Sequence, residues 1–534
     1  MSVPYHPRTV IVVALDDKAR GSNPRAGALS AGDFAAAGGL TLLAAVLRFA
    51  DLGHQGFWFD EANTALLVHF SIGRMLGLLP QTESTPPLYY GIAWVWARIF
   101  GFGETGLRSL SAVAGVLTVP VAYGAAAKLI SRRAGLITAA LVATSPLLIW
   151  YSQEARSYEV VVLLCATTVL TFAYALAAPT PRTLAAWAVA CALALATHYF
   201  AVLAVGPEVV WLVFVHRRRR SVQVAVGVIA LAGLALIPLA ISQQGTGNSN
   251  WIAHLPLRIR LSQIAPQFLL GFGAPAGRWL RALDAIVVVG AVGLLWWRGG
   301  QGARRGALLA GGLAVAGAVL MLILLAAGDD DLITRNVIVL WLPLALVVAA
   351  GLGSARWLGP AGVAVLCVTG IVATVGVDTN RELERPDWRP VARAVGVVGA
   401  AAGTSRAAAP VAGRAILIQR YRTLLPLSLY LPRLRFMPRR GALVDEFDVI
   451  AIRSPQKAAC WWGAACNLIP SRLQSAYPVP GFRFVGEERI LQFTLLRLRA
   501  AQPVQLTREM VSAALTSTEL RHDALILQSP AAAR

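Results

Sequence analysis

Residues Leu184–Val215 read LAAWAVACALALATHYFAVLAVGPEVVWLVFV. The run is too long for one crossing of a hydrocarbon core of ~30 Å and short for two. Its flanks decide between them. Arg182 precedes it and Arg217-Arg218-Arg219-Arg220 follows it. Arginines of short loops are retained on the cytoplasmic side. Both flanks satisfy that rule only if the chain crosses twice, turning near His198-Tyr199.

Working outward, further apolar segments lie near 33–50, 108–130, 134–150, 158–178, 222–241, 282–298, 306–327, 334–352 and 359–377. Each has the length of one crossing, about 16–24 residues. Arg132-Arg133, Arg298, Arg304-Arg305 and Arg356 then share the cytoplasmic side with Arg182. One stretch tests the bookkeeping: Pro86–Gly101, PPLYYGIAWVWARIFG. As a crossing it would carry Arg132-Arg133 outside, so it is read as an amphipathic helix lying in the interface. The expected fold is mostly α, with about eleven transmembrane helices, N-terminus in and C-terminus out.

Composition agrees. Of 534 residues, 57% are hydrophobic and only 14% charged, against roughly 25% charged in soluble domains. The first 31 residues are polar, so no cleavable signal peptide is expected. The expected layout is a cytoplasmic tail at 1–32, a transmembrane module at 33–377 with its first external loop at 51–107, and an extracytoplasmic domain with a tail at 378–534. In that last domain Ala415–Gln419, Leu434–Met437 and Phe447–Arg453 suggest strands. Arg422–Leu431 suggests a helix, Phe482–Leu498 a hairpin, and the tail after Gln505 more helix. Together they make a small α/β domain, with Ala400–Ala412 as a loop.

The net charge of +21 has no nucleic-acid motif beside it. Its expected partners are the lipid bilayer and anionic lipid phosphates, with no nucleic acid. Cys165, Cys191 and Cys367 lie in apolar helices. Cys460 and Cys466 could close a small disulfide outside the cell.

With the sides fixed, Asp60, Glu61, Glu83, Glu154, Arg156, His198, Asp329–Asp331 and Arg335 collect at the extracytoplasmic ends of spans. Asp60-Glu61 follows Gly56-Phe57-Trp58-Phe59. It reads equally as a solvated loop, as an N-cap with Asp60 capping the helix that follows, or as a general base. Glu154 and Arg156 read as an interfacial ion pair. Alternatively Arg156 grips a phosphate, for which a guanidinium fork is suited, and Glu154 orients a hydroxyl. His198-Tyr199 reads first as a structural turn. Arg335 is either a snorkelling side chain or a second phosphate contact. Glu208 is a carboxylate inside the membrane, costly and often functional, with no role assigned.

The order of the short motifs is more specific. Phe59-Asp60-Glu61-Ala62 comes first, then Ser84-Thr85-Pro86-Pro87-Leu88-Tyr89-Tyr90, then Arg108-Ser109-Leu110-Ser111-Ala112-Val113-Ala114-Gly115. Ser145-Pro146, Tyr151-Ser152-Gln153-Glu154-Ala155-Arg156-Ser157-Tyr158 and Thr197-His198-Tyr199 follow. The chain resembles the GT-C superfamily of polytopic membrane glycosyltransferases, in particular bacterial relatives of protein O-mannosyltransferases and aminoarabinose transferases (family 39 type). The resemblance covers roughly 35–215 well and extends more loosely to 377, where Thr334-Arg335-Asn336 resembles an Arg-bearing loop before a late span. It implies an enzyme that transfers a sugar, mannose by expectation, from a polyprenyl-phosphate donor with inversion. The acceptor would be an extracytoplasmic cell-wall glycan, glycolipid or protein. It implies Asp60 or Glu61 as catalytic base, and Glu154, Arg156, Tyr158, His198, Tyr199 and Arg335 as substrate-binding residues. No cofactor is certain. Some family members bind a divalent metal ion through acids of the first two external loops, places held here by Asp60 and Glu154 without an Asp-x-Asp. The expected location is the cell membrane. The rival class is a transporter or flippase of lipid-linked sugars, which charged residues at several mid-span positions would favour.

Overall fold

The computed structural model describes residues 31–398, 412–418, 424–452, 478–514 and 524–530. The run at 184–215 does break at His198. It forms α9 (Pro181–Thr197), a 3-10 turn at Tyr199–Ala201, and α10 (Val202–His216). Thr180 starts α9, accepting a hydrogen bond from the backbone N–H of Thr183, with Pro181 at the first helical position, where a missing N–H costs nothing.

Before it come α1 (Ala31–Phe49), α2 (Phe59–Leu67), α3 (Ile72–Thr82), α4 (Leu88–Phe100), α5 (Glu104–Leu129), α6 (Arg132–Thr144), α7 (Pro146–Ser152) and α8 (Tyr158–Ala177). After it come α11 (Arg220–Gln244), α12 (Leu257–Leu270), α13 (Gly277–Arg298), α14 (Gln301–Ala326), α15 (Trp341–Gly353) and α16 (Leu358–Asp378). Among the described residues, eight helices are long and apolar enough to cross a membrane, and nine if the bent pair α6–α7 is one span. The other two expected spans, α9 and α15, are apolar but shorter. Exposed Val224, Leu231, Leu234 and Ile241 on α11 give it a lipid-ready flank. This is a multi-pass membrane protein.

The segment 134–150 was expected as one crossing. It bends by 56° between α6 and α7, because Pro146 lacks the N–H that would bond the Val142 carbonyl. Arg48, at the end of α1, replaces it. Its Nη2 donates to Val142 O at 2.9 Å, its Nη1 to Ala143 O at 3.0 Å and its Nε to Ser152 Oγ at 3.0 Å. Gly115 on α5 leaves the room, since a Cβ there would overlap Ser152 Oγ and Arg48 Nε. Gly115→Ala should therefore displace Arg48 and cost about 1–3 kcal/mol. The check is thermal unfolding in detergent micelles, where an unchanged midpoint would contradict this packing.

The two ends of the helical bundle differ. At one end Asp33 pairs with Arg132, Arg133 donates to the Ala355 and Arg356 carbonyls, and Gly306 lies against Leu129. The arginine-bearing turns thus cluster. At the other end lie Asp60, Glu83, Glu154, Arg156 and Arg335.

The chain then forms α17 (Trp388–Val395), β1 (Gly413–Ile418), α18 (Leu424–Tyr430), β2 (Leu434–Phe436), β3 (Ala442–Ile452), β4 (Phe482–Ile490), β5 (Phe493–Leu506), α19 (Arg508–Ala514) and β6 (Ala524–Gln528). The sheet order is β2-β6-β1-β3-β5-β4, with β1 and β3 parallel and the other pairs antiparallel. β1 is buried throughout, as a central strand covered on both faces should be. Trp388, Val391 and Leu427 cover one face, and Val479 and Val511 the other. Among the described residues the tail after Gln505 is helical at α19, and Ala524–Gln528 forms β6, which enters the sheet between β2 and β1. Cys460, Cys466 and most of the 400–412 loop lie outside the described residues.

Candidate active site

The first external loop presents Asp60 and Glu61 at the start of α2, and the structure separates their roles. The helix begins at Phe59 with Trp58 as its cap, so Asp60 is not the N-cap that its type allowed. Glu61 is fully buried and fully bonded. Arg108 grips it with two bonds, Nε to Oε1 at 2.7 Å and Nη2 to Oε2 at 2.6 Å. The Ala155 N–H reaches Oε1 at 2.8 Å and the Trp58 N–H reaches Oε2 at 3.3 Å. Burial alone would raise its carboxyl, but the Arg108 charge and hydrogen bonds outweigh burial and hold it below the usual range. Glu61 ties three chain segments together, and a carboxylate so held is a poor base.

Asp60 makes one side-chain bond, from Arg335 Nη1 to its Oδ2 at 2.6 Å. The pair is partly exposed. Arg335 also lies near the faces of Trp251 and Tyr158, 5.3 and 5.7 Å from the ring centroids.

The ion pairing of the second loop differs from the expectation. Arg156 does not pair with Glu154. It donates two bonds to buried Glu83, at 2.9 and 3.0 Å, and Asn63 adds a third to Glu83 at 2.6 Å. A guanidinium bonded this way joins the first and second loops. Glu154 instead meets Arg385, from the segment after the last span, at 3.1 Å. Arg385 also donates to Trp150 O at 2.9 Å and stacks 4.0 Å from the Trp150 ring centroid. Glu154 is buried, and its Oε1 has no hydrogen-bond partner among the described residues. Burial pushes its carboxyl up to about 7, with Arg385 opposing.

Four more polar residues have partners within the fold. His198 Nδ1 accepts the Phe200 N–H at 3.3 Å, capping the turn. Tyr199 donates to Gln243 at 2.8 Å, and Gln243 in turn ties down the Leu79 and Thr85 carbonyls. Glu208 accepts from Thr168 at 2.9 Å and from Trp187 at 2.8 Å, so this mid-span acid is satisfied by packing partners. Asp330 is held by two bonds from Arg260, at 2.6 and 2.9 Å, which anchor α12. Tyr158 stays at the site beneath Arg335.

Arg385 belongs to a clamp that sequence reading missed. Glu384 bonds His54 at 2.7 Å and also takes the Gln55 amide. Asp387 accepts the Gly56 N–H at 3.0 Å and caps α17 through the Arg389 N–H at 3.1 Å. Tyr430 on α18 accepts the Phe57 N–H at 2.6 Å and donates to Glu104 at 2.7 Å. The C-terminal domain is thus seated on residues 54–57, immediately before Asp60.

Beside these groups lies a pocket with about 510 Å³ of open space, lined by Trp58, Trp150, Tyr151, Glu154, Trp251, Leu255, Gln267, Phe272, Ile333, Thr334 and Arg335. Its residues do not fit a divalent ion. Hard cations take several oxygens at once, whereas Asp60 and Glu154 are each bonded to an arginine, and among the described residues no three of His, Cys, Asp or Glu gather.

The family model described as dolichyl-phosphate-mannose-protein mannosyltransferase matches residues 84–242, less than half of the chain. Among solved structures, ArnT from Cupriavidus metallidurans bound to undecaprenyl phosphate is similar at TM-score 0.52 and 13% identity, over 86% of this chain and 97% of that one. Its apo form is similar at TM-score 0.52 and 13% identity, over 91% and 100%. The oligosaccharyltransferase AglB from Archaeoglobus fulgidus is more distant, at TM-score 0.44 and 12% identity, over 89% of this chain and 74% of that one. No curated protein sequence matches significantly. The family match is confined to 84–242, and what the chain shares with ArnT over most of both lengths is the fold.

Proposed function

We propose that this chain transfers a sugar, mannose in the first instance, from a polyprenyl-phosphate donor to a hydroxyl of an extracytoplasmic glycan, glycolipid or protein, with inversion. The observation that carries the reading is the Asp60–Arg335 pair at the pocket edge, 2.6 Å apart. It sets a carboxylate not locked into the scaffold beside a cation that also lines the pocket. In the reaction the acceptor oxygen attacks the anomeric carbon from the face opposite the phosphate. The bond from carbon to phosphate oxygen breaks, and the phosphate leaves with its electron pair. Asp60 takes the acceptor's proton. Arg335 faces the charge that grows on the leaving phosphate, where a pre-placed cation is worth most.

Mannose is supported by the description of the family model that matches 84–242. The lipid carrier is supported by the undecaprenyl phosphate held in the similar ArnT structure. The protein would sit in the cell membrane with its arginine-bearing turns in the cytoplasm and the Asp60 end outside.

The decisive experiment compares wild-type and deletion cells by mass spectrometry of lipid-linked sugars and glycans. Accumulated polyprenyl-phosphate sugar with a truncated glycan, glycolipid or glycoprotein is expected. Identical profiles would refute the reading. For the phosphate contact, Arg335→Lys should lower kcat/KM by about 10- to 100-fold and Arg335→Ala further, because an ammonium keeps the charge but loses the fork. Unchanged donor kinetics in Arg335→Ala would remove it from phosphate binding.

A further inference from the structure

We infer that the pocket carries a recognition subsite for an uncharged, fully hydroxylated sugar ring, read by Gln267 and Thr334 together with Glu154; the inference rests on the transfer reading above. Three buried polar atoms point to it. Gln267 Oε1, Thr334 Oγ1 and Glu154 Oε1 each lack a hydrogen-bond partner among the described residues. Their side chains are 7%, 3% and 1% exposed. They come from three separate parts of the chain: α12, the loop before α15, and the second external loop. All three residues line the same pocket.

Leaving a buried donor or acceptor unmade costs about 1–3 kcal/mol each, and native interiors seldom leave several together. Three in one pocket mark a place built for a polar ligand. The other walls are aromatic: Trp58, Trp150, Trp251, Tyr151 and Phe272. Flat apolar faces beside a few fixed polar atoms suit a sugar ring, whose C–H faces stack while its hydroxyls bond at the rim.

Two features say which ring and which charge. Arg335 lines the same pocket, so a sugar joined to the phosphate it faces falls among these three groups. That makes the occupant the donor sugar rather than the acceptor. The charges present are also already matched, Glu154 by Arg385 and Asp60 by Arg335. Gln267 and Thr334 carry none. Neither lining charge, Glu154 or Arg335, is left to pair with an ammonium or a carboxylate on the ring. Hydroxyls can donate to the amide oxygen and to Glu154, and can exchange either role with Thr334.

The test uses the full-length protein with polyprenyl-phosphate mannose and analogues in which one ring hydroxyl at a time is replaced by hydrogen. Sites built to bond a hydroxyl reject the analogue that lacks it. Wild type should lose about 10²-fold or more in kcat/KM for at least one deoxy donor. Gln267→Leu should flatten that discrimination to within a few-fold, mainly by lowering kcat/KM for the parent donor. Thr334→Val, nearly the same shape, should flatten a different position, and it keeps the question open to measurement if Gln267→Leu fails to fold. A 4-amino-4-deoxy donor should be transferred poorly by wild type. If wild type transfers mannose but both variants keep its full discrimination pattern, the subsite is wrong and the transfer reading stands. Efficient transfer of the amino sugar would also overturn it. If wild type transfers no polyprenyl-linked sugar at all, the transfer reading itself fails.

Discussion

Asp60→Asn abolishes sugar transfer in our expectation, lowering kcat/KM by about 10²–10⁴-fold, the usual loss for a missing general base. Assembly should be spared. The change keeps size and shape, and Asp60 does not cap α2, which starts from Trp58. The amide oxygen can still accept from Arg335 Nη1, which lies 2.6 Å away. Only the capacity to take a proton is removed. The measurement is transfer from a polyprenyl-phosphate sugar by the purified variant, beside its melting temperature and detergent elution profile. A variant that folds and works at near wild-type rate would show that Asp60 is not the base. Glu154 would then be the carboxylate to test, since burial pushes it up to about 7 and its Oε1 has no partner among the described residues.

Much of this was written in the chain before any coordinates. The apolar helices were legible because bilayer thickness fixes a length, and eight or nine of the eleven expected spans are long enough among the described residues. The break at His198 follows from that length together with the flanking arginines. The bend at Ser145-Pro146 was not read from the sequence, because the partner that replaces the lost N–H, Arg48 bonding Val142 O, lies more than ninety residues earlier. The strand β6 was missed because ALILQ is too short to be told from helix by periodicity, and only the open edges of β1 and β2 decide it.

The site shows the same division. Which acids and arginines gather at one membrane face followed from topology. Which acid meets which arginine did not. Glu154 and Arg156 are two residues apart, which makes an ion pair the natural reading. The loop between the spans turns them to opposite partners, Arg385 and Glu83. Arg385 lies beyond the last span, so nothing local announced it. Gln267 and Trp251 were invisible for a different reason: neither is charged, and a neutral amide becomes informative only when its burial is known. Arg108 did leave a signal. An arginine at the head of an apolar helix needs a partner, but Glu104, one turn away, was the nearer acid in sequence, and Glu61 is the one it grips.

That pair gives the largest effect on stability. Arg108→Met should strip the fold of its tightest fastener. The buried guanidinium bonds both oxygens of Glu61, and also the carbonyls of Leu52 at 2.9 Å, Gln55 at 3.0 Å and Gly56 at 3.0 Å. Removing it leaves a buried carboxylate without its counter-ion, a loss of about 3–5 kcal/mol. Against a total stability of roughly 5–15 kcal/mol, that is enough to collapse the yield of folded protein. Glu61→Gln should be milder, since an amide can still accept from Arg108 and from the Ala155 N–H, but it strands the arginine's charge. The double variant should cost less than the two singles summed, because it no longer holds an unpaired ion. The measurement is the melting temperature of all four proteins in the same detergent, with protease resistance as a second readout. Coupling well above the about 0.3–0.5 kcal/mol error of additivity is expected. Additive losses within that error would mean that Glu61 and Arg108 do not act as a pair. Residual transfer in whatever Glu61→Gln protein folds separates the two acids: a scaffold residue leaves chemistry per folded molecule nearly intact, whereas a base would take it to the level of Asp60→Asn.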